Sequence, residues 1–415
     1  MIHKKTKLAI ISHALVIPPF RSRWEKLAQD PNYEVHLFVP KYWEQTWFGE
    51  KKIYRTESEK VGNYFVHAME TTDVKNWGRY LLKSFAKELK ILQPNLIYII
   101  HEEGILIHHQ IYLYKKLFSP KSKVVFFSMN ARGVPWSQSK NWLKKMVGRL
   151  MWWQVKKCTD AVLAHYPGCQ VSLRTGGYQK PIYLQTQVGV DEKTFSPNAE
   201  VRLSYRQKIG ADGCFVIGYC GRMVEDKGVD DLLAVFIEIA ENNPLVFLLL
   251  VGSGPMNKEI ERALLDKGWV DRYLITGFIE QSDIPNYMNA MDLFVLGSKT
   301  MPHWIDTFPL VSVQAQSVGV PVLASDSASL PWQLGDSAKF FPEGNRQALK
   351  DELVNLIEDD QFRKALSLAG MKRSHEYFCH EGMTDNFKSI ARQVITNKVQ
   401  YHKQDEPYAQ WKAYD

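Results

Sequence analysis

The sequence predicts an α/β protein built from two Rossmann-like, doubly wound parallel-sheet domains. Three observations carry that expectation. Short runs rich in Val, Ile and aromatics alternate with longer amphipathic patterns along most of the chain. The short runs are continuously apolar, as strands buried on both faces require. They come in two series, and 415 residues suit two domains of ordinary size.

The first series is KLAIISHAL, YEVHLFVP, NYFVHAM, NLIYIIH, KVVFFSM, DAVLAHY and PIYLQTQ. Its opening, MIHKKTKLAIIS, is basic then apolar, as in a leader peptide. The apolar run is short, lacks a small-residue cleavage site and passes into FRSRWEKLAQD, so it reads as a first strand. The second series is FVIGYCG, LVFLLLVG, RYLITGF, DLFVLGS, VPVLAS and AKFFP. Between them lies VGVDEKTFSPNAEVR, polar and broken by a proline, which divides the chain into domains at 1–193 and 194–374. Two helical stretches follow Pro342, and the second is expected to carry residues 375–397 back toward the first domain, leaving a polar tail at 398–415.

Composition narrows the function. Hydrophobic content of 45% with 23% charged residues is that of a soluble globular chain, and no apolar run approaches the ~18 residues of a spanning helix. Five cysteines, with no Cys-x-x-Cys, argue against a disulfide framework and a zinc site and point to a reducing, cytoplasmic compartment. The net charge of +7 favours anionic partners, yet no run of Lys and Arg suggests nucleic acid.

Ligands of open α/β sheets bind at the carboxyl ends of the strands. In FVIGYCGRMVEDKGVDDLLAVF, Arg222 and Lys227 lie between a strand and a helix start, where two cations and free amides suit a diphosphate. A solvated surface loop would read the same way. In SKTMPHWIDTFPLVSVQAQSVGVPVLAS, Pro309 suits the first position of a helix capped by Thr307 or Phe308, which would aim the amides of Leu310 and Val311 at a ligand. Asp306 precedes that helix, and Gln314 lies one turn beyond Leu310. Spacing alone leaves open whether these are ligand contacts or a capping acid and an ordinary polar residue.

Taken together, GYCGRMVEDKGVDDLL, LLLVGSGP, LITGFIEQSDIPNYMNAMDLFVLGS and DTFPLVSVQAQSVGVPVLASDSASLP resemble the nucleotide-sugar domain of family-4 retaining glycosyltransferases with the GT-B fold. PNLIYIIHEEG, SMNARGVPW and QVGVDEKTFSP are more loosely similar to the acceptor domain of the same family. The resemblance implies that Gly221, Arg222 and Lys227 meet the donor diphosphate. It puts Asp306 and Gln314 on a paired-Glu motif facing sugar and ribose. Thr307, Phe308, Pro309, Leu310 and Val311 fall on the loop holding sugar and phosphate, and Phe278 and Ile279 where the base is met. Both acids of the pair are altered here, to Asp and Gln. The glycine-rich turn expected after the first strand is replaced by SHALVIPPFRSRW, and the expected His after KVVFFSM is absent, with Asn130 nearby.

The expectation is a metal-independent retaining transferase with no resident cofactor. It would move a sugar from a nucleotide-diphosphate donor to a glycan or lipid-linked acceptor in cell-surface or exopolysaccharide synthesis. No Asp-x-Asp is present to hold a divalent ion, which agrees with cations and a helix end bearing the diphosphate. An epimerase of the same fold and a silent sugar-nucleotide-binding or scaffold protein are the alternatives. In HEEGILIHHQ, His101, His108 and His109 invite a metal reading, but His101 falls at a strand end. Glu103 is placed instead with the catalytic residues, orienting acceptor or sugar, and Glu102 on the acceptor side; the alternative is an acid pair at a helix start that favours acids. Finally, residues 139–158 mix Lys and Arg with Trp. Such a helix could lie on an anionic membrane at the cell's inner face. The favoured alternative is a packed helix with Leu143, Met146, Val147 and Leu150 facing the core.

Overall fold

The computed structural model describes residues 5–47, 50–102, 105–130, 140–302 and 304–398, leaving aside the side chains of 46–51. The chain forms two compact units. One holds the residues up to Gln187 and those from Met383 onward; the other runs from Val188 to Gly382. The first division thus falls six residues before 193/194, and the return falls at Met383 rather than at 375.

In chain order the first unit holds β1 (Thr6–Ile11), α1 (Ser22–Ala28), β2 (Tyr33–Pro40), β3 (Tyr42–Trp47), β4 (Glu50–Arg55), β5 (Glu59–Val61), β6 (Tyr64–Met69), α2 (Phe85–Leu92), β7 (Leu96–Ile99), α3 (Leu106–Phe118), β8 (Lys123–Ser128), α4 (Trp142–Cys158), β9 (Ala161–Ala164), α5 (Pro167–Thr175) and β10 (Ile182–Leu184). Eight strands form one sheet in the order β10-β9-β8-β7-β1-β2-β6-β5, parallel except at β5–β6. Leu8 to Ile11 of β1 are at most 1% exposed, because a central parallel strand is covered on both faces. From β6 through β10 the chain steps one way across the sheet, so right-handed crossovers put α2, α3, α4 and α5 on one face. There α2 packs on α3, and α3 on α4. Strands β3 and β4 pair as a separate antiparallel hairpin.

The second unit holds α6 (Ala199–Lys208), β11 (Phe215–Cys220), α7 (Val229–Asn242), β12 (Val246–Val251), α8 (Asn257–Leu265), β13 (Tyr273–Ile275), α9 (Ile284–Asn289), β14 (Leu293–Leu296), α10 (Leu310–Ser317), β15 (Val322–Ser325), α11 (Leu330–Leu334), β16 (Lys339–Phe341), α12 (Arg346–Glu358) and α13 (Asp360–Arg373). Its sheet is wholly parallel, in the order β13-β12-β11-β14-β15-β16. All six residues of VFLLLV in β12 are buried. The last helix, α14 (His380–Thr396), belongs to the first unit from Met383 on. There Phe387 meets Trp24 edge-on, with ring centres 5.1 Å apart, and Gln185 Nε2 donates to the Met383 carbonyl at 2.7 Å.

Each of the thirteen apolar runs holds a strand. The sequence reading missed β3, β4 and β5, where polar residues leave no continuous apolar run. It also misjudged α4. Leu143, Met146, Val147 and Leu150 are 48%, 55%, 50% and 64% exposed, and the helix instead buries Gly148, Trp152 and Val155. Trp152 fixes that choice, its indole N–H donating to the Gly176 carbonyl at 2.6 Å.

Candidate functional site

In the second sheet β11 lies between β12 and β14, and the chain passes β12 to one side and β14 to the other. Its carboxyl end is therefore a topological switch point, where the following loops diverge and leave a crevice. The loops after β11 and β14 carry Arg222, Lys227 and Asp306.

Glycines let these loops approach at backbone distance. A Cβ on Gly228, at φ +65°, would lie 2.0 Å from the Gly297 carbonyl oxygen. One on Gly252, at φ +126°, would lie 2.1 Å from the Gly221 carbonyl oxygen. Neither position admits a side chain without moving backbone. Three loops are thereby locked side by side at the strand ends.

On that base Lys227 Nζ lies 2.5 Å from Asp306 Oδ2, which also accepts from the Ser298 hydroxyl at 2.7 Å. Asp306 is 6% exposed. Arg222 is freer. Its guanidinium is 3.7 Å from Asp226 Oδ2, and its side chain is 42% exposed. Trp304, absent from the sequence-based site, stands over both cations, its ring centre 5.5 Å from the Arg222 Cζ and 5.7 Å from Lys227 Nζ. Nothing in the spacing of MPHWID singles that tryptophan out.

The next element differs in detail from expectation. Pro309 is the cap residue of α10, in extended geometry, and the helix begins at Leu310 with no side-chain cap. The Ser312 N–H and hydroxyl both return to the Pro309 carbonyl, at 3.1 and 2.8 Å. The amides of Leu310 and Val311 still open the helix, both residues being half-buried, with Phe308 buried and Thr307 half-buried before them. Gln314, one turn further on, is 4% exposed, and its carboxamide bonds no described residue. Helix α7, by contrast, is already served by acids of its own first turn. Asp230 and Asp231 meet Lys299 at 2.9 and 2.8 Å and are also paired with Arg346. An incoming anion is thus left to Arg222, Lys227 and the start of α10. Beyond β13, Phe278 presents a ring that is 78% exposed, next to half-buried Ile279.

In the first unit β1 lies between β2 and β7, giving a second switch point. His13 follows β1, and its ring stacks on His101 after β7 with centres 4.7 Å apart. The Tyr80 hydroxyl lies 2.5 Å from His101 Nε2, and Trp43 flanks His13 at 4.9 Å. Burial holds His13 down to about 4 and His108 to about 3, with His101 also well below the usual imidazole value. The three histidines singled out in the sequence therefore point three ways. His101 faces Tyr80, His108 Nδ1 meets the Tyr112 hydroxyl at 3.0 Å, and His109 turns to Gln154 on α4. Sequence reasoning did not connect His13, Trp43 and Tyr80 with them, because long-range packing brings them together. Glu102 stands beside this cluster in sequence, and burial pushes its carboxyl up. Asn130 follows β8 and is half-buried. Glu103 lies outside the described residues.

Comparisons with known proteins agree with this architecture. Residues 201–373 match the family described as glycosyl transferases group 1. A GDP-mannose-dependent monoacylated alpha-(1-6)-phosphatidylinositol monomannoside mannosyltransferase of Corynebacterium glutamicum is 30% identical over 215 residues, 51% of this chain and 56% of its own. The chain thus spans about half the length of that curated relative. The lipopolysaccharide core biosynthesis mannosyltransferase LpsB of Rhizobium meliloti is 25% identical over 65% of this chain and 72% of its own. Among solved structures, sucrose-phosphate synthase from Thermosynechococcus elongatus superposes with a TM-score of 0.66 at 18% identity, covering 95% of this chain and all of that one. At that identity the likeness speaks for the fold, which is of the GT-B kind.

Proposed function

Since residues 201–373 fall in the glycosyl transferases group 1 family, we propose that this protein is a glycosyltransferase. It moves a sugar from a nucleotide-diphosphate sugar to a hydroxyl of a glycan or lipid-linked acceptor. The observation that carries the proposal is the convergence of Arg222, Lys227, Asp306 and the amides opening α10 at one switch point.

The barrier in glycosyl transfer lies in parting an anionic diphosphate from a sugar turning cationic. Arg222 and Lys227, beside Gly221, take the developing charge on the phosphates with the amides of Leu310 and Val311. Preorganised donors of this kind are each worth about 10²–10³ in rate. Arg222 can swing onto the diphosphate because its ion pair with Asp226 is long. Lys227 is held in place by Asp306, whose carboxylate accepts sugar hydroxyls. Thr307, Phe308 and Pro309 set the entry to α10. Gln314 offers its unpaired carboxamide to the ribose, and Phe278 and Ile279 offer apolar surface to the base. On the acceptor side we assign Glu102 and Asn130, with Glu103 a catalytic residue that orients acceptor or sugar. Retention of anomeric configuration follows the family resemblance, with the departing phosphate accepting the acceptor proton. Two cations and a helix end serve the diphosphate without a divalent ion. We place the protein in the cytoplasm, at the inner face of a membrane, where its five cysteines, none of them in a disulfide, would stay reduced.

Thermal-shift titration against UDP-, GDP- and ADP-sugars tests the donor site. Occupancy at a hundredfold excess over Kd raises stability by about 2.7 kcal/mol. A GDP-hexose is the first choice, as the Corynebacterium relative is GDP-mannose-dependent. Stabilisation by one nucleotide sugar, abolished in Arg222→Ala, supports the reading. No shift with any of them removes it. Conversion of donor alone to an epimer would favour the epimerase, and NMR of the product linkage decides between retention and inversion.

A further inference from the structure

We infer that α4 is a docking surface for an anionic lipid bilayer. The first observation is its exposed apolar face. Trp142, Met146, Leu150 and Trp153 are 68%, 55%, 64% and 54% exposed and follow one stripe of the helix, flanked by Leu143 and Val147 at 48% and 50%. The stripe runs about 16 Å along the axis. Six large apolar side chains in one exposed helix exceed what scattered surface residues explain.

The second observation is charge. Between Gly104 and Thr159 the chain has eleven Lys and Arg and no Asp or Glu. That exceeds the net charge of +7 for the whole chain, so the remainder is net negative. The positive segment contains α3 and α4, which pack side by side on one face of the first sheet. On α4 itself Lys144, Lys145, Arg149, Lys156 and Lys157 border the apolar stripe, and Lys157 Nζ lies 5.0 Å from the centre of the Trp153 ring. Basic residues beside a stripe with a tryptophan near each end match a helix lying in the headgroup region. No helix among the described residues is long and apolar enough to cross a membrane, so the contact is in-plane.

The charge also selects the occupant. A second copy seated on this face in a twofold dimer would set five cations against five. A nucleic acid would take the cations but leave Met146 and Leu150 in water. An anionic bilayer accommodates both features. The surface stands independently of the donor site; only its use, bringing the enzyme to a lipid-linked acceptor, rests on the glycosyltransferase reading.

The experiment is flotation of the full chain with phosphatidylcholine vesicles, with and without phosphatidylglycerol, in the absence of donor and acceptor. The expected result is flotation with phosphatidylglycerol vesicles only, weakening as salt is raised. Leu150→Glu and Met146→Glu change exposed positions, so circular dichroism stays unchanged while flotation is lost. Replacing Lys144, Lys145 and Arg149 by Ala lowers partitioning about a hundredfold. The proposal is overturned if the wild-type chain stays out of the lipid fraction, binds both vesicle types equally, or floats as well with either Glu substitution. It is likewise overturned if sedimentation shows a dimer that Leu150→Glu dissociates, or if single-stranded RNA binds as tightly as vesicles and no less to Leu150→Glu. A thermal shift with nucleotide sugar on the same preparations keeps failure of this surface distinct from failure of the donor site.

Discussion

Lys227 Nζ and Asp306 Oδ2 stand 2.5 Å apart with side chains 13% and 8% exposed, so the cation assigned to the phosphates also neutralises the acid assigned to the sugar. Removing either member strands the other. Lys227→Ala therefore changes two things, turnover and stability. We expect turnover to fall at least tenfold and stability to drop by about 3 kcal/mol, as for a broken buried pair. Adding Asp306→Ala should restore most of the stability and none of the turnover. Urea midpoints and steady-state rates read the two effects separately. A double variant as unstable as the single would show that the pair is not what holds the loop.

Arg222→Ala isolates the chemistry, because that side chain is partly exposed and its ion pair is long. Turnover should fall at least tenfold with an unchanged melting temperature. Near wild-type turnover would remove Arg222 from the diphosphate site.

Gln314→Glu converts a neutral hydrogen bond to the ribose into a charged one. A charge-assisted bond is worth ~1 kcal/mol more, so nucleoside diphosphate should bind about fivefold tighter by calorimetry. Weaker binding would mean that the carboxamide faces phosphate instead.

Acid should destabilise the first unit. Burial holds His108 and His165 at about 3 and lowers His101 as well, while the unfolded chain titrates near 6.5. Between these values the unfolded state binds more protons, so stability is full above pH 6.5 and declines as pH falls toward 3. Each group contributes a slope of at most about 1.4 kcal/mol per pH unit in that window. Urea unfolding followed from pH 7 downward measures it, and a flat profile would contradict the burial of these rings.

The parallel cores were legible because strands covered on both faces need unbroken apolar runs, and VFLLLV or LIYI leave little choice. Arg222 was legible because it lies two residues beyond the end of a strand, and Lys227 because it lies just before the next helix. The hairpin of β3 and β4 was not, since clustered polar residues in YWEQTW and EKKIYR leave neither strand an unbroken apolar run. The outward face of α4 was illegible for a different reason. Its apolar positions suit either a core or a bilayer, and only the turn of Trp152 toward Gly176 shows which side is inward. The stacking of His13 on His101 joins residues 88 apart in sequence, so no local pattern announces it.

The backbone-to-backbone seating of Gly228 on Gly297 and of Gly252 on Gly221 has a consequence for redesign. Where main chain touches main chain, there is no side chain to exchange, so the floor of the crevice resists tuning. Altered donor preference would have to be sought at its rim, in Trp304 and Phe278, whose exposed rings can change size without disturbing what lies beneath.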